Sequence, residues 1–267
     1  MGPFDFIAGT VPLLVSMPHC GTTIPSSIAE GMTELSLTTV DTDWHVEKLY
    51  DFARELGASI IQPDTSRYVI DLNRPPDNAE LYPGAAGTDL CPTSSFSGEP
   101  VYRPGREPDE TEIAQRIETY WRPYHNKLQS ELARLKQQHG VAVLFEAHSI
   151  CSLVPRLFEG RLPDINIGTA SGSSCDSTTL AVVESVLNTQ DNYSWVSNQR
   201  FKGGYITRAY GAPAQNTHAL QLELAQRNYM REEAPFEYLP DRAHKIQPLL
   251  RQILQSLIFW AEQQRPQ

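Results

Sequence analysis

Hydrophobic and polar positions follow two recurring patterns along this chain. Short apolar runs, typical of buried strands, lie at residues 11–17, 58–61, 68–72, 141–147, 165–169 and 219–225, with another strand predicted near residue 195. Apolar residues that recur every three or four positions predict a long helix over residues 111–138 and a C-terminal helix over about residues 241–262. Shorter helices are predicted after Asp41 or Asp43 and after Asp176, because an aspartate there can cap the first turn.

Strands that alternate with helices predict an α/β fold with a largely parallel sheet and helices on both of its faces. We expect residues 1–267 to form one domain, with Pro123 kinking the long helix. Residues 75–108 are rich in proline, glycine, serine and aspartate and show no periodicity. Loops of that length are often lids or binding loops, so this segment is predicted to be an active-site loop.

Composition and charge exclude some classes of function. The net charge of -10 opposes binding to nucleic acid or to an anionic membrane surface. The apolar run at residues 11–17 is too short to cross a bilayer and no basic segment precedes it, so a cytoplasmic protein is predicted. The absence of CxxC spacing argues against a disulfide scaffold or a structural zinc site among the cysteines, which are Cys20, Cys91, Cys151 and Cys175.

Polar side chains occur in or just after several predicted strands. In a parallel sheet the carboxyl ends of the strands meet at one edge, which is where ligands usually bind. Two histidines and a carboxylate from separate elements suit a catalytic zinc, which takes three nitrogen or oxygen ligands and keeps one position open. Asp43 is the third ligand that we favour. The residues in or after the strands are His19, Asn73, Arg74, Glu146, His148 and Glu223.

Each of these residues also has a structural interpretation. A histidine that follows a strand is commonly a hydrogen-bonded loop residue, and Asp43 is equally suited to capping a helix. Glu223 lies between two leucines, and a carboxylate is rarely buried without a partner, although strand alternation could also place it on an exposed face. Arg74 could form an ion pair with Asp71. The residues taken one at a time leave both interpretations open.

Six ordered motifs nevertheless give the chain a recognisable pattern, and from near its start to about Tyr229 it resembles the N-formylglutamate amidohydrolase family. This family resembles zinc carboxypeptidases and aspartoacylases in fold, which implies an α/β/α sandwich with a catalytic Zn²⁺ or another divalent metal. The motifs are PHCGTTIP (18–25), DTDWHVEKLY (41–50), SRYVIDLNRPPDN (66–78), FEAHSI (145–150), FKGGYITRAYG (201–211) and HALQLELAQRNYM (218–230).

The resemblance also implies roles for individual residues. The metal ligands would be His19, Asp43 and His148, and the catalytic glutamate would be Glu223. Related proteins often hold the metal with a compact HxxE, whereas this chain has Thr22 in place of the glutamate. For this reason two alternatives to Asp43 stay open, namely His45 and Asp41. The Asn and Arg that hold the substrate in related proteins correspond to Asn73 and Arg74.

The activity implied is hydrolysis of N-formyl-L-glutamate to L-glutamate and formate, the last step of a histidine degradation route. Zinc would acidify a water molecule, and Glu223 would accept its proton. Arg74 would stabilise the oxyanion or bind a substrate carboxylate, because its planar guanidinium can hold two oxygens. A substrate with two carboxylates needs further anchors or close backbone approach, for which the candidates are Arg67, Lys202, Gly203 and Arg208.

Three alternatives remain at the level of the sequence. The same machinery could hydrolyse another N-acyl amino acid or a short peptide. A protein of a different class would bind an acidic metabolite without metal. A cysteine nucleophile is also conceivable, because Cys20 follows His19 and Cys151 lies near His148. The predicted partner is a small anionic substrate, and the sequence makes no prediction of oligomeric state.

Overall fold

The strands of the computed structural model, which describes residues 2–81 and 87–264, form a seven-stranded sheet in the order β1-β3-β2-β4-β7-β5-β6. β1 runs antiparallel to β3 and β5 antiparallel to β7, whereas the other neighbouring pairs are parallel. The strands are β1 (Phe4–Ile7), β2 (Leu13–Ser16), β3 (Ser59–Pro63), β4 (Ala142–Ile150), β5 (Ile165–Gly168), β6 (Trp195–Ser197) and β7 (Thr217–Ala225). The predicted loop over 75–108 lies partly outside the described residues, at 82–86.

The α-helices are α1 (Ser26–Ala29), α2 (Val46–Leu49), α3 (Glu110–Arg116), α4 (Arg122–His139), α5 (Ser177–Leu187), α6 (Tyr205–Tyr210) and α7 (Pro240–Gln263). Short 3₁₀ turns occupy Ser36–Thr38, Asp51–Ala53, Ala170–Gly172, Pro213–Gln215 and Gln226–Asn228. None of the helices in the described part of the chain has the length and apolar character needed to span a membrane.

Alternate residues of the central strands pack on opposite faces of the sheet. Val15 and Phe145 contribute to a core completed by α5 and α7, whereas Leu14 and Leu144 contribute to a second core completed by α4. All four side chains are fully buried. Burial of each such side chain stabilises the fold by roughly 1.5–3 kcal/mol relative to exposure. Helices therefore cover both faces of a mixed sheet, and the predicted three-layer α/β/α arrangement is confirmed.

The long helix predicted over residues 111–138 is interrupted near its middle. A π-helical turn, Ile117–Trp121, separates α3 from α4, and Pro123 lies in the first turn of α4. Proline has no N–H to donate and its ring clashes with the carbonyl four residues earlier, so a regular helix cannot continue through it unchanged. The wider turn before Pro123 accommodates this defect.

The strand predicted at residues 68–72 is wrong, because this segment forms turns outside the sheet. Its backbone groups find other partners: the N–H of Asp71 donates to the carbonyl of Leu90, and Arg116 donates to the carbonyl of Val69 at 2.8 Å. The apolar side chains of Val69 and Ile70 are buried against α4 instead. An apolar run alone does not distinguish a buried turn from a buried strand.

The first predicted helix is short, and neither aspartate caps it. The residue before α2 is His45, which has a φ of 63° and makes no side-chain capping bond. The side chain of Asp43 instead points toward two histidines, as described below. By contrast, Asp176 caps α5 as predicted, accepting a hydrogen bond from the N–H of Thr178.

Candidate active site

A cavity opens at the carboxyl ends of β2, β4 and β7, the edge at which the sequence predicted a site. The position of each side chain follows from the strand that carries it: His19 follows β2, His148 lies near the end of β4 and Glu223 lies in β7. The sequence-predicted residues that line this cavity are His19, Asp43, Arg67, Asn73, Arg74, His148 and Glu223.

His19, Asp43 and His148 form a buried cluster in which one potential ligand atom from each lies within 4.8 Å of the others. Nδ1 of His148 lies 3.1 Å from Oδ2 of Asp43, and Nδ1 of His19 lies 3.7 Å from the same oxygen. The imidazole centroids are 4.9 Å apart. Both rings therefore turn the same nitrogen toward one carboxylate oxygen, an arrangement suited to a single cation between them.

The two alternatives to Asp43 are engaged elsewhere. Oδ2 of Asp41 accepts hydrogen bonds from the hydroxyl of Tyr68 and the N–H of Phe96, both at 2.7 Å. Nε2 of His45 lies 2.7 Å from the carbonyl oxygen of Phe236. Of the acidic and histidine residues near the start of α2, Asp43 is thus the residue that the structure brings to the two histidines.

Asp71 orients His19 from the side away from Asp43. Its Oδ1 lies 2.7 Å from Nε2 of His19, and its Oδ2 accepts a hydrogen bond from Arg67 at 2.7 Å. Burial would raise the pKa of Asp71, but the charges of His19 and Arg67 outweigh burial and hold the pKa well below its ordinary value. The sequence left open an ion pair between Arg74 and Asp71. Among the described residues, the arginine that pairs with Asp71 is Arg67.

The electrostatics of the cluster favour a cation. Burial would raise the pKa of Asp43 and lower that of His148, yet the contacts between them reverse both effects. The pKa of Asp43 falls below its ordinary value, and that of His148 rises to about 10 with a further contribution from Glu146. Two imidazoles and a carboxylate, surrounded by additional buried carboxylates, are a donor set that fits Zn²⁺ or a similar divalent metal.

Glu223 stands beside this cluster. It pairs with His148 in the parallel register between β4 and β7, so the two side chains leave the same face of the sheet. Its side chain lines the cavity although the residue is 8% exposed. Burial raises the pKa of Glu223 to about 8, against the opposing influence of His148. The sequence left open whether this carboxylate faces solvent or a site, and the register places it in the cavity.

The arginines on the cavity wall differ in how their charges are used. Arg67 is buried and pairs with Asp71, with Nη1 also 3.6 Å from Oδ1 of Asp43. Arg74 donates to the carbonyl and hydroxyl of Thr88 and to the carbonyl of Asn73, all neutral acceptors. Arg74 thus brings a positive charge to the cavity that the described ion pairs do not neutralise.

Three of the predicted anchors do not reach the described cavity wall. Lys202 and Arg208 are exposed, and Nε of Arg208 donates to the carbonyl of Gly203 at 2.9 Å. Gly203 has a φ of 117°, a conformation that favours glycine for reasons of backbone geometry. Its neighbour Gly204 lines the cavity and packs so closely against Asn73 that an added Cβ would overlap the amide.

Some residues that line the cavity were not predicted from the sequence. Arg200 lines it and donates from Nε to the carbonyl of Leu157 at 2.7 Å. Phe96 lies under the guanidinium of Arg67, whose Cζ is 4.7 Å from the ring centroid. Arg200 stands immediately before the FKGGY motif, which was the available signal, but a loop has no periodicity that indicates which cation faces inward.

The cysteines do not form a nucleophilic site in this cavity. Cys20 and Cys151 are absent from its described lining, and their thiols donate to the carbonyls of Met17 and Leu153. Burial is the largest influence on both thiols and raises both pKa values. A raised pKa disfavours the thiolate, which is the reactive form.

Fold and cavity together define a class: an α/β protein with a candidate metal centre and an adjacent carboxylate at the carboxyl edge of its sheet. Comparison with known proteins identifies the group within that class. The family model for N-formylglutamate amidohydrolase matches residues 11–230. The chain is 49% identical to the N-formylglutamate deformylase of Pseudomonas putida over 256 residues, which cover 96% of each chain. The chain therefore belongs to the N-formylglutamate amidohydrolase family.

Two further comparisons agree with this assignment. The N-formylglutamate deformylase of Pseudomonas aeruginosa is 49% identical over 259 residues, which cover 97% of each chain. The crystal structure of N-formylglutamate amidohydrolase from Ralstonia eutropha superposes with a TM-score of 0.80 at 25% identity, covering 98% of each chain. The family resemblance found in the motifs is thus confirmed, and it extends beyond the six segments that first suggested it.

Proposed function

We propose that this protein hydrolyses N-formyl-L-glutamate to formate and L-glutamate. The observation that carries the proposal is the register of His148 beside Glu223, which sets a carboxylate next to a His–Asp–His cluster inside a cavity. The names of the two Pseudomonas relatives support the choice of substrate. By family resemblance alone, we place the reaction at the end of a histidine degradation route in the cytoplasm.

His19, Asp43 and His148 would hold the metal, with zinc the first choice. When bound, such an ion polarises a carbonyl and lowers the pKa of water toward neutrality. The protein holds these side chains ready, since Asp71 fixes the ring of His19 and the N–H of Ser149 donates to Asp43 at 3.1 Å. Little rearrangement of the donor atoms is then needed on binding.

Glu223 would act as the general base and then as the general acid. Its carboxylate accepts a proton from the attacking water as the water oxygen bonds to the formyl carbon. The same proton then passes to the nitrogen as the C–N bond breaks, so that formate and the free amino group of glutamate are released. Glu223 can serve both steps because the proton that it accepts from water is the proton that it later gives to the nitrogen.

Arg74, Arg67 and Arg200 give the cavity the positive charge that an anionic substrate and a developing oxyanion require. Arg74 retains free donors, because a guanidinium has five N–H groups and three hydrogen bonds to Thr88 and Asn73 are observed. We also propose that residues 75–108 serve as the active-site loop, since Thr88 and Phe96 line the cavity.

The test is formate release from N-formylglutamate by purified protein, with metal content measured on the same sample. We expect turnover, about one metal ion per chain, and a hundredfold to ten-thousandfold lower rate for Glu223→Gln, which loses the base but keeps the shape. Glu30→Gln changes an exposed glutamate outside the described cavity lining and should leave the rate unchanged.

The alternatives give different results in the same assay. Faster hydrolysis of N-acetyl- or N-succinylglutamate than of the formyl compound would assign the site to another N-acyl amino acid. Binding of N-formylglutamate without turnover, in protein that contains no metal, would support a metabolite-binding protein instead. A Glu223→Gln variant that binds metal and turns over at the wild-type rate would exclude Glu223 as the base.

A further inference from the structure

Glu146 is a buried carboxylate that the proposed reaction does not use. It lies in the middle of the central strand β4 with 0% exposure, and neither of its oxygens has a hydrogen-bond partner among the described residues. An ionisable group buried in this way is unfavourable unless something compensates it, so its presence requires an explanation.

The polar neighbours of Glu146 on the two adjoining strands do not supply that compensation. Ser16 is its partner in β2, but the Ser16 hydroxyl pairs with the hydroxyl of Tyr124 at 2.9 Å. Gln221 is its partner in β7, and the side-chain oxygen of Gln221 accepts the N–H of Gly204 at 2.8 Å. Within residues 2–81 and 87–264, the ion-pair contact of Glu146 is with His148, whose Nε2 lies 3.5 Å from Oε2 of Glu146.

The role of this contact depends on which ring nitrogen of His148 carries the proton. Nδ1 of His148 faces Asp43, so a metal bound by that nitrogen requires the ring proton to be on Nε2. Nε2 lies 3.1 Å from Nδ2 of Asn73, and the orientation of this amide is fixed because its Oδ1 accepts the N–H of Ile206. An amide NH₂ cannot accept a proton, so Asn73 is the wrong partner for Nε2–H.

We propose that Glu146 is a positioning residue that accepts the Nε2–H of His148 and so holds Nδ1 ready to bind the metal. Asp71 already has this arrangement with the other histidine, since its Oδ1 lies 2.7 Å from Nε2 of His19. Glu146 would have the same role for His148. The inference rests on the proposed function, because it needs His148 to be a metal ligand. Glu146 itself touches neither substrate nor metal in this proposal.

Metal affinity tests the proposal directly. For Glu146→Leu we expect a zinc dissociation constant 10–100-fold higher than wild type, measured by competition with a chelator, since outer partners of metal-binding histidines have effects of about this size. Glu146→Gln keeps an oxygen that can accept the hydrogen bond from Nε2–H. Its zinc dissociation constant should therefore lie between those of the wild type and Glu146→Leu. The visible spectrum of the Co²⁺-loaded protein should also change in Glu146→Leu, because the imidazole is no longer held at one angle.

Glu131→Leu is the matched control. Glu131 is also a buried glutamate, 2% exposed, but it is hydrogen-bonded to Ser59 and Arg134 and is not part of the cavity lining that the structure describes. This variant should lower the unfolding temperature without changing zinc affinity or the Co²⁺ spectrum. If Glu146 had a purely structural role, its substitution would behave in the same way.

The results of these measurements distinguish failure of the positioning role from failure of the proposed function. Wild-type affinity in both Glu146 variants, in a protein that binds zinc and releases formate, would overturn the positioning role and leave the proposed function intact. A wild-type protein that binds neither zinc nor another divalent metal and releases no formate would overturn both. If Glu146→Leu does not fold, a wild-type dissociation constant in Glu146→Gln together with an unchanged Co²⁺ spectrum would likewise overturn the role.

Discussion

At the scale of single residues, the cavity arginines divide according to the partners they already have. Arg67 is ion-paired with Asp71, and Arg74 is hydrogen-bonded to Thr88 and Asn73. Arg200 is half-buried, and one hydrogen bond from its Nε, to the carbonyl of Leu157, is observed. Of the three, Arg200 is therefore the best candidate for binding the carboxylate at the far end of a glutamate side chain.

For Arg200→Gln we expect the KM for N-formylglutamate to rise roughly 10–100-fold with a smaller change in kcat. A hydrogen bond to a charged group contributes about 1.5–3 kcal/mol, and losing equal binding to substrate and transition state raises KM. Steady-state kinetics measure both constants. N-formylglutamine provides a matched substrate, because it lacks the second carboxylate and should bind wild type and variant almost equally.

Arg54→Gln is the corresponding control, since Arg54 is exposed and is not among the residues that line the described cavity. It should change neither constant. An equal rise in KM for N-formylglutamate and N-formylglutamine in Arg200→Gln would show that Arg200 does not contact the second carboxylate.

The sequence indicated some site residues much better than others. His19, His148 and Glu223 lie in or just after strands, and strand ends converge in a parallel sheet, so the sequence could place them together. The cations of the loop before α6 had no such constraint. Lys202 was predicted as an anchor, yet it is exposed, and Arg200 two positions earlier lines the cavity.

At the scale of elements, the pairing of β4 with β7 determines the chemistry of the cavity. The pair is parallel and places His148 directly opposite Glu223 and Glu146 opposite Gln221. Because side chains alternate along a strand, a shift of β7 by one residue relative to β4 would turn Glu223 and Gln221 to the other face of the sheet. The sequence predicted both strands, but their register depends on neighbours that lie far apart in the chain.

The start of α6 supports the site through one close contact. Gly204 precedes this helix, and a Cβ there would overlap the side-chain amide of Asn73, which lies against His148 and accepts the N–H of Ile206. A larger residue at position 204 must therefore displace Asn73 or the helix. The glycine is required here by close approach and not by a left-handed backbone, since its φ is -78°.

We expect Gly204→Ala to lower kcat/KM about a hundredfold, because a shift of about 1 Å in a positioning group has effects of that size. Overpacking should also lower stability by roughly 1–3 kcal/mol. Kinetics and thermal unfolding on the same preparation separate the two effects. Gly31→Ala is the control: its Cβ would meet Arg106 at an ordinary 3.4 Å, and activity and stability should be retained. Full activity in Gly204→Ala would mean that Asn73 needs no fixed position.

At the scale of the whole molecule, charge is distributed unevenly. The chain has a net charge of -10, and four of its carboxylates are buried near the cluster, namely Asp43, Asp71, Glu146 and Glu223. Composition gives the net charge but not this concentration at one edge of the sheet. The donor atoms of His19, Asp43 and His148 come together in the folded chain, so a cation bound there should stabilise the folded state and not merely activate the protein.

Removing the metal should therefore lower the unfolding temperature. A ligand that binds the folded state at a free concentration of 100 times its Kd stabilises it by about 2.7 kcal/mol. With a shift of roughly 2–4 °C per kcal/mol for a chain of nearly this size, the metal-free protein should unfold roughly 5–10 °C lower. Thermal unfolding before and after chelation, with zinc then restored, measures the shift.

Asp43→Asn is the control variant. Because it lacks one metal ligand, its unfolding temperature should change little when the chelator is added, whatever that temperature is at the start. An equal response in both proteins would place the metal somewhere other than between His19 and His148.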